Sequence, residues 1–345
     1  MEKNTRKNWR NFIFFVLLIV ITFIIFFKDR SITAIFEVLK ETNKAYIGIA
    51  FLCIFVYLCL EGANIKRTLR KLGNKITPLQ AIKYSFIGFF FSGITPAASG
   101  GQPMQIYFMH KDGIEIAQST ITLLMNLMSM QIVTISIALI SICFNFTSLD
   151  VGLRIFFVFG VLLNISALLL LLLTIFNEKV ASKIVNFSIK FLKKIKYKKV
   201  DEVQKNLEAS IVRYQGFSTY IKSNKKMLFK MILITALQFL IYYSITFWIY
   251  KSLGLDDYFI LKIISMQSVA YATTSGIPSP GAVGVSEAAY IGIFKTIIPE
   301  NLIDSAMLLS RGINFYFPMI ITGIVVLIST LMIKDRKNNN DWHFT

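Results

Sequence analysis

Long uncharged runs separated by short basic segments dominate the hydrophobic pattern of this chain. Six runs of 16 to 34 residues contain no Asp, Glu, Lys or Arg, and a membrane-spanning helix needs about 20 mostly apolar residues. The runs are 11–27, 45–60, 116–149, 155–177, 231–250 and 312–333. The pattern predicts an all-α polytopic membrane protein with about six transmembrane helices.

Two further uncharged stretches are interrupted by Gly and Pro at the depth where a spanning helix would be continuous. Both contain the tripeptide Ser-Gly-Ile, at 92–94 and at 275–277, followed within a few residues by Pro and Gly. Irregular backbone inside a membrane persists only where protein buries it or where it lines a wet cavity, because lipid cannot satisfy its polar groups. We therefore predict re-entrant helical hairpins at 84–110 and 263–294.

Composition supports the membrane assignment. Of the 345 residues, 55% are hydrophobic and 16% are charged, against roughly 25% charged in soluble domains. The net charge of +18 lies in short runs between apolar segments, which favours membrane topology over nucleic-acid binding. The three cysteines lie within apolar runs without a CxxC pattern, so we expect reduced thiols, no metal and no cofactor.

The basic runs also predict orientation, since Lys and Arg near the ends of spans are retained in the cytosol. Basic residues precede the first span, follow the second and follow the last, and 178–230 carries 14 Lys and Arg against 4 Asp and Glu. We predict a single integral domain over 1–345 with both termini cytosolic in a bacterial cell membrane. Its halves are 11–177 and 231–334, joined by the basic cytosolic loop 178–230.

Apolar residues recur at helical spacing within that loop, from Val180 to Ile195. Such a segment either lies as an amphipathic helix on the anionic inner leaflet or is a solvated connector. Both alternatives remain open from the sequence.

The same topology predicts an inverted repeat. The second span ends in the cytosol, so the first hairpin enters from that side, whereas the fifth span ends outside and the second hairpin enters from there. Paired Gly/Pro-interrupted segments in inverted halves are typical of a transporter's substrate site near the membrane midplane.

The hairpin tips suggest what is bound. Gly100, Gly101 and Gln102 precede Pro103, which suits the first position of a second half-helix. Pro280, Gly281 and Gly284 likewise form a turn before Ser286 and Glu287. Two half-helix amino ends offer N–H groups and positive dipole ends that favour an anion such as a phosphate headgroup. The alternative is that Gly and Pro only allow tight packing, without a ligand.

Ionisable residues within membrane segments are functional candidates. Glu287 follows the second tip directly, and Arg311 either pairs with it, meets a phosphate, or reaches the outer headgroups. Glu61 closes the second span, where an interfacial position explains it equally well. Polar residues that line a cavity or bond between helices are Gln102, Gln105, Tyr107, Asn126, Gln131, Gln267, Tyr271 and Asn314.

Residues 95–103 (Thr-Pro-Ala-Ala-Ser-Gly-Gly-Gln-Pro) with Tyr107, and 277–287 (Ile-Pro-Ser-Pro-Gly-Ala-Val-Gly-Val-Ser-Glu), resemble a family signature. It is that of the flippase-like membrane domain of lysylphosphatidylglycerol synthases, also called multiple peptide resistance factors. Arg311 resembles a family arginine in the last helices, and the similarity covers about 13–333. Ala282 differs, because a second glycine is usual there.

The resemblance implies a membrane domain that moves aminoacylated phosphatidylglycerol between leaflets. Full-length members add a soluble domain that transfers lysine from charged tRNA, and we expect this chain to be a stand-alone member without it.

Three functions follow as alternatives. The first is a translocase for an anionic or phosphate-bearing lipid, such as lysyl-phosphatidylglycerol or a polyprenyl-phosphate-linked lipid. The second is a phosphatidylglycerol lysyltransferase-type enzyme, although the sequence has no Walker loop, GxSxG or HExxH motif and we assign no catalytic residue. The third is a non-transporting envelope scaffold. Self-association into a homo-oligomer is compatible with each.

Overall fold

The computed structural model describes residues 32–145, 149–177, 179–180, 182–183, 224–275, 277 and 280–339. Within these residues, eleven α-helices form the framework, and two 3₁₀ turns and one π-helical turn interrupt the hairpins and the last span. The helices are α1 Ile32–Glu41, α2 Lys44–Lys71, α3 Pro78–Ile94, α4 Gly101–Lys111, α5 Ile116–Asn145, α6 Val151–Phe176, α7 Lys225–Ser252, α8 Ile260–Thr274, α9 Val285–Phe294, α10 Glu300–Arg311 and α11 Phe317–Asn339. The 3₁₀ turns are Pro96–Ala98 and Pro280–Ala282, and the π turn is Gly312–Tyr316.

Five helical stretches are long and apolar enough to cross a membrane: Lys44–Lys71, Ile116–Phe144, Val151–Ile175, Lys225–Ser252 and Glu300–Met332. They confirm predicted spans two to six, and the protein is an all-α, multi-pass membrane protein. The first predicted span, 11–27, lies outside the described residues.

The helices exceed the predicted spans because charged residues do not stop helical hydrogen bonding. α2 continues from the predicted end at 60 to Lys71, and the last span begins at Glu300 rather than at Gly312. Glu61 therefore lies inside α2. Arg311 lies inside the continuous span Glu300–Met332, where α10 meets the π turn. Counting uncharged residues located spans two to six but misplaced limits such as the end of span two and the start of span six.

Both interrupted stretches form helix–turn–helix hairpins. α3, α4, α8 and α9 contain 17, 11, 15 and 10 residues, each shorter than the roughly 20 residues needed to cross a bilayer. In the first hairpin, Lys83 near the start of α3 pairs with Asp112 directly after α4. The Tyr84 hydroxyl lies 2.6 Å from the same carboxylate. These contacts close the base of the hairpin, while the membrane side from which it enters stays a prediction.

Long helices and hairpins from the two ends of the described chain pack against each other. α2 and α7 run antiparallel, because the Asn43 amide at the start of α2 donates to the Ser252 carbonyl at the end of α7 over 2.9 Å. Further along, Asn64 Nδ2 donates to Thr235 Oγ1 over 3.0 Å. α3 packs against α11, α8 packs against α5, and the two 3₁₀ turns contact each other. Each hairpin thus packs against the long helix that follows the other hairpin along the chain.

The outer surface of the bundle is apolar, as contact with lipid requires. On α6, large apolar side chains are exposed rather than buried, namely Ile155, Phe156, Val158, Phe159, Leu162, Leu169, Leu170 and Leu173. Most of the basic segment 178–230, including the apolar positions up to Ile195 proposed to lie on the leaflet, falls outside the described residues.

Candidate functional site

The two tips share a pattern of residues and turns, which aligns the two hairpins. In both, Pro begins the 3₁₀ turn, Ala ends it, and Gly follows two residues later: Pro96, Ala98 and Gly100, against Pro280, Ala282 and Gly284. Ala98 and Ala282 have φ values of 54° and 52°, a left-handed conformation that L-residues rarely adopt. Matching the tips on Ser-Gly-Ile places the second turn one residue too early.

The first tip is closed by neutral groups. The Gly100 amide donates to Thr95 Oγ1 over 2.9 Å, and the same hydroxyl donates to the Phe91 carbonyl over 2.6 Å. α4 then begins with no side-chain cap on its first turn. Gly101 allows α4 to approach α3, because a Cβ there would lie 2.1 Å from Ser92 Oγ.

The second tip is closed by a charged group. Glu287 Oε2 accepts from the Gly284 amide over 2.6 Å and lies 3.1 Å from the Ser286 hydroxyl. Its other oxygen, Oε1, lies 3.2 Å from Arg311 Nε in an ion pair. The side chain of Glu287 is 5% exposed and that of Arg311 is 12% exposed. Glu287 thus caps α9 at its own positive end, where an acidic side chain is favourable.

Arg311 links the second tip to the last span. Its Nη2 donates to the Gly281 carbonyl over 3.0 Å, and its guanidinium carbon lies 4.5 Å from the centre of the Phe315 ring. A Cβ on Gly281 would lie 2.3 Å from Phe315 Cζ, and one on Gly93 would lie 3.3 Å from Phe315 Cε2. Phe315 therefore packs near both hairpins, and it projects from the π turn, a distortion that often marks functional sites in helices.

A cavity of about 610 Å³ opens between the tips and the long helices. Both hairpins, α2, α5, α6, α7, α10 and the π turn contribute to its lining. Its polar lining includes Glu61, Ser92, Gln102, Gln105, Asn126, Gln131, Asn164, Gln267, Ser286, Ser310, Arg311 and Asn314, and its aromatic lining includes Tyr57, Phe239, Tyr242, Tyr271, Tyr290 and Phe315. Among the buried polar atoms, Asn126 Oδ1, Gln131 Oε1 and Asn314 Oδ1 have no hydrogen-bond partner in the described structure.

The cavity includes only some of the predicted site residues. Gln102, Gly281, Ser286 and Arg311 line it, while Gly100, Gly101, Gly284 and Glu287 shape the tips around it. Pro280 begins the second turn. The other polar residues predicted to line a cavity do so, with the exception of Tyr107; they are Gln105, Asn126, Gln131, Gln267, Tyr271 and Asn314.

Two predicted positions are wrong. Pro103 is the third residue of α4 rather than the first, although the first turn still needs no N–H from it. Tyr107 is 43% exposed, is absent from the cavity lining, and lies with its ring centre 5.5 Å from Lys111 Nζ. Helical rotation between Gln105, which faces inward, and Tyr107 accounts for the difference, since residues two apart do not share a face.

Several cavity residues were missed. Asn164 on α6 donates to Ser275 Oγ over 3.0 Å and connects α6 to the second hairpin. Gly160, one turn earlier, allows this approach, because a Cβ there would lie 2.3 Å from the Ala272 carbonyl. Its position as a lone polar residue within the apolar run 155–177 was the sequence feature that could have identified Asn164. Tyr57 and Tyr242 gave none, since aromatic residues are common throughout the chain.

Comparisons with known proteins agree with this architecture. The family model described as the lysylphosphatidylglycerol synthase TM region matches residues 12–322. A UPF0104 membrane protein from Archaeoglobus fulgidus is 22% identical over 324 residues, which cover 93% of this chain and 97% of the relative. A UPF0104 membrane protein from Pyrococcus horikoshii is 25% identical over 289 residues, or 81% of each chain.

Proposed function

This chain belongs to the family of the lysylphosphatidylglycerol synthase membrane region, and we propose that it moves a phosphate-bearing lipid between membrane leaflets. The central cavity carries the proposal, because both hairpin tips and Arg311 meet there. Binding cavities for small ligands range from about 300 to 1,000 Å³, and the volume of about 610 Å³ falls in this range. A glycerophosphate headgroup is of the size that such a cavity encloses.

The donors at the tips suit a phosphate. Arg311 donates from Nη2 to the Gly281 carbonyl, and its Nε lies 3.2 Å from Glu287 Oε1 in an ion pair. A guanidinium has five N–H donors, so donors remain for a second anion. α4 begins without a side-chain cap, and an uncapped helix start attracts negative charge. The Gln102 side chain lies in the same first turn and lines the cavity.

Glu287 limits how tightly the anion is held. Its carboxylate already neutralises Arg311 and the start of α9, so a bound phosphate meets a site whose net charge is near zero. Moderate affinity is what a carrier needs, since the lipid must leave on the other side. Glu287 therefore positions Arg311 and does not bind the lipid itself.

Apolar lining supports a lipid over a free anion. Leu127 of α5 and Ala167, Leu170 and Leu171 of α6 line the cavity together with the polar residues. Leu170 is also 57% exposed within the apolar surface of α6. An amphiphile satisfies both parts of this lining, with its phosphate at the tips and its chain along α6.

Lipid movement by the purified full chain in liposomes tests the proposal. Fluorescent phosphatidylglycerol and a fluorescent polyprenyl phosphate serve as probes, a fluorescent glycolipid without phosphate is the comparison lipid, and reduction of outer-leaflet dye measures exchange. The double variant Glu287→Gln/Arg311→Gln should slow exchange about tenfold or more, because a charge-assisted hydrogen bond contributes about 1.5–3 kcal/mol.

Arg154→Gln is the matched control. Arg154 also lies on a spanning helix, but its Nε donates to the Leu149 carbonyl over 3.0 Å and it does not line the cavity. This variant should exchange lipid at the wild-type rate. Wild-type protein that accelerates none of the phosphate-bearing probes, or a double variant as fast as wild type, contradicts the proposal.

A further inference from the structure

Glu61 is the second carboxyl group in the cavity lining, and its surroundings differ from those of Glu287. It projects from the middle of α2 toward the first hairpin. Ser85 Oγ of α3 lies 3.0 Å from Glu61 Oε2, and Gln105 Nε2 of α4 lies 3.3 Å from Oε1. Within the described part of the chain, no Lys or Arg nitrogen lies within 4 Å of it.

The contacts around Ser85 indicate which protonation state of Glu61 the structure fits. The Ser85 hydroxyl has one proton but two acceptors within reach, the Leu58 carbonyl at 2.8 Å and Glu61 Oε2 at 3.0 Å. With Glu61 ionised, one of these short oxygen–oxygen contacts contains no proton. With a proton on Oε2, Glu61 donates to Ser85 and Ser85 donates to Leu58, so that each contact is a hydrogen bond.

Gln105 fits either state. Its Nε2 group also donates to the Tyr84 carbonyl over 3.0 Å, which leaves the second N–H for Glu61 Oε1. In the protonated acid, Oε1 is the carbonyl oxygen and remains an acceptor. Every hydrogen bond in this network of Leu58, Ser85, Glu61 and Gln105 is therefore satisfied only when Glu61 is neutral.

The groups facing Glu61 from the neighbouring elements supply no compensating positive charge. On α2 the facing titratable group is Tyr57, and Tyr242 of α7 and Tyr271 of α8 lie behind it. From α3, Lys83 and Tyr84 are directed to Asp112. α5 contributes the neutral side chains of Asn126 and Gln131 to the cavity lining, and the π turn contributes that of Asn314. Arg311, which precedes the π turn, pairs with Glu287. A carboxylate at membrane depth without a cation is costly, which favours its neutral form.

We infer that Glu61 is a proton-binding site of the central cavity, held here as a carboxylic acid that donates to Ser85. On ionisation its O–H bond breaks and the proton passes to a cavity water. Ser85 then turns its single proton from the Leu58 carbonyl to the carboxylate, so that one charge-assisted hydrogen bond replaces two hydrogen bonds between α2 and the first hairpin. Coupling of this proton to lipid movement rests on the proposed function, whereas the protonation itself does not.

Infrared spectroscopy of the full chain in lipid vesicles tests the assignment. At neutral pH the difference between wild type and Glu61→Gln should contain the carbonyl band of a protonated carboxylic acid. The amide of this variant can still donate to Ser85 and accept from Gln105, so we expect it to fold. Glu287→Gln is the control, because Glu287 is an ion-paired carboxylate and its removal should leave the band unchanged.

Ser85→Ala provides a readout that does not depend on folding of the Glu61 variant. It removes the acceptor of the Glu61 proton and should shift the band to higher frequency without removing it. Absence of the band in wild type, its loss in Glu287→Gln but not in Glu61→Gln, or an unshifted band in Ser85→Ala overturns the inference.

Lipid exchange under an imposed pH gradient tests the coupling separately. Wild-type exchange should respond to the gradient, and Glu61→Gln exchange should not. An equal response in both proteins rejects coupling through Glu61. Protein that moves no lipid refutes the proposed function, while the infrared band still decides the protonation of Glu61.

Discussion

The two hairpin tips satisfy the same backbone group with chemically different partners. The amide of Gly100 donates to the neutral hydroxyl of Thr95, whereas the amide of Gly284 donates to the carboxylate of Glu287. The turns themselves match, with Pro at the start and left-handed Ala at the end. Closing the turn therefore requires an acceptor at this position but does not require a charge.

The charge at the second tip brings further requirements. A buried carboxylate needs a counter-ion, and Arg311 supplies it from the end of α10. Arg311 in turn lies against Phe315 of the π turn. Among the described residues no carboxylate caps the first tip, and Glu61, which contacts α3 and α4 of the first hairpin, has hydroxyl and amide partners. One tip is thus a neutral turn, and the other anchors the ionic part of the cavity.

Loss of Arg311 should lower the stability of the folded protein more than any other single change at the two tips. Arg311→Met removes the cation that pairs with the buried Glu287, and breaking a buried pair costs about 3–5 kcal/mol. Thermal unfolding of the detergent-solubilised protein measures the loss. The double variant Glu287→Gln/Arg311→Met should recover more than half of it, and equal losses in the single and double variants would show that the ion pair is not the reason.

A side chain at Gly281 should have the next largest effect. Gly281→Ala adds a Cβ 2.3 Å from Phe315 Cζ at a residue with φ of 58°, which combines overpacking with left-handed strain and costs about 2–4 kcal/mol. The same unfolding assay applies. Gly48→Ala on α2 is the control, because a Cβ there meets nothing within 4 Å, and a similar loss in both variants would contradict the packing argument.

Thr95→Val sharpens the comparison at the first tip. The change removes the hydroxyl that caps Gly100 and bonds to the Phe91 carbonyl, at a cost of about 1 kcal/mol, as for other lost caps. No charge is left unpaired, so the loss should be smaller than for Arg311→Met in the same assay. A loss as large as that of Arg311→Met would mean that the neutral tip is equally dependent on its cap.

The smallest expected effect tests what the tips share. Ala98→Gly and Ala282→Gly remove left-handed strain of roughly 1–2 kcal/mol, offset by the greater freedom of Gly in the unfolded chain, so each should stabilise by about 0.5 kcal/mol. Ala50→Gly within α2 should instead destabilise, because its backbone is helical. Opposite signs at the two tips would refute their structural equivalence.

Local sequence predicted the spans and the hairpins because both depend on short-range properties. A run of about 20 apolar residues partitions into lipid whatever its neighbours are, and Gly and Pro interrupt a helix through their own backbone chemistry. A register set on the shared Ser-Gly-Ile would be one residue off, because residues 92–94 end α3 whereas Ser275 already follows the end of α8. Pro103 and Tyr107 were misplaced for a similar reason, since the exact start and rotation of α4 depend on its packing.

The sequence by itself determined that this is a helical membrane protein with two broken segments, since hydropathy and backbone preference act residue by residue. Only the tertiary structure decided which polar side chains meet: that Glu287 is paired with Arg311, that no Lys or Arg of the described residues pairs with Glu61, and that Glu61 and Arg311 line one cavity. These residues lie far apart in the chain and come from different helices. Electrostatic and hydrogen-bond partners depend on distances of about 3 Å, which helix packing sets and which no local pattern encodes.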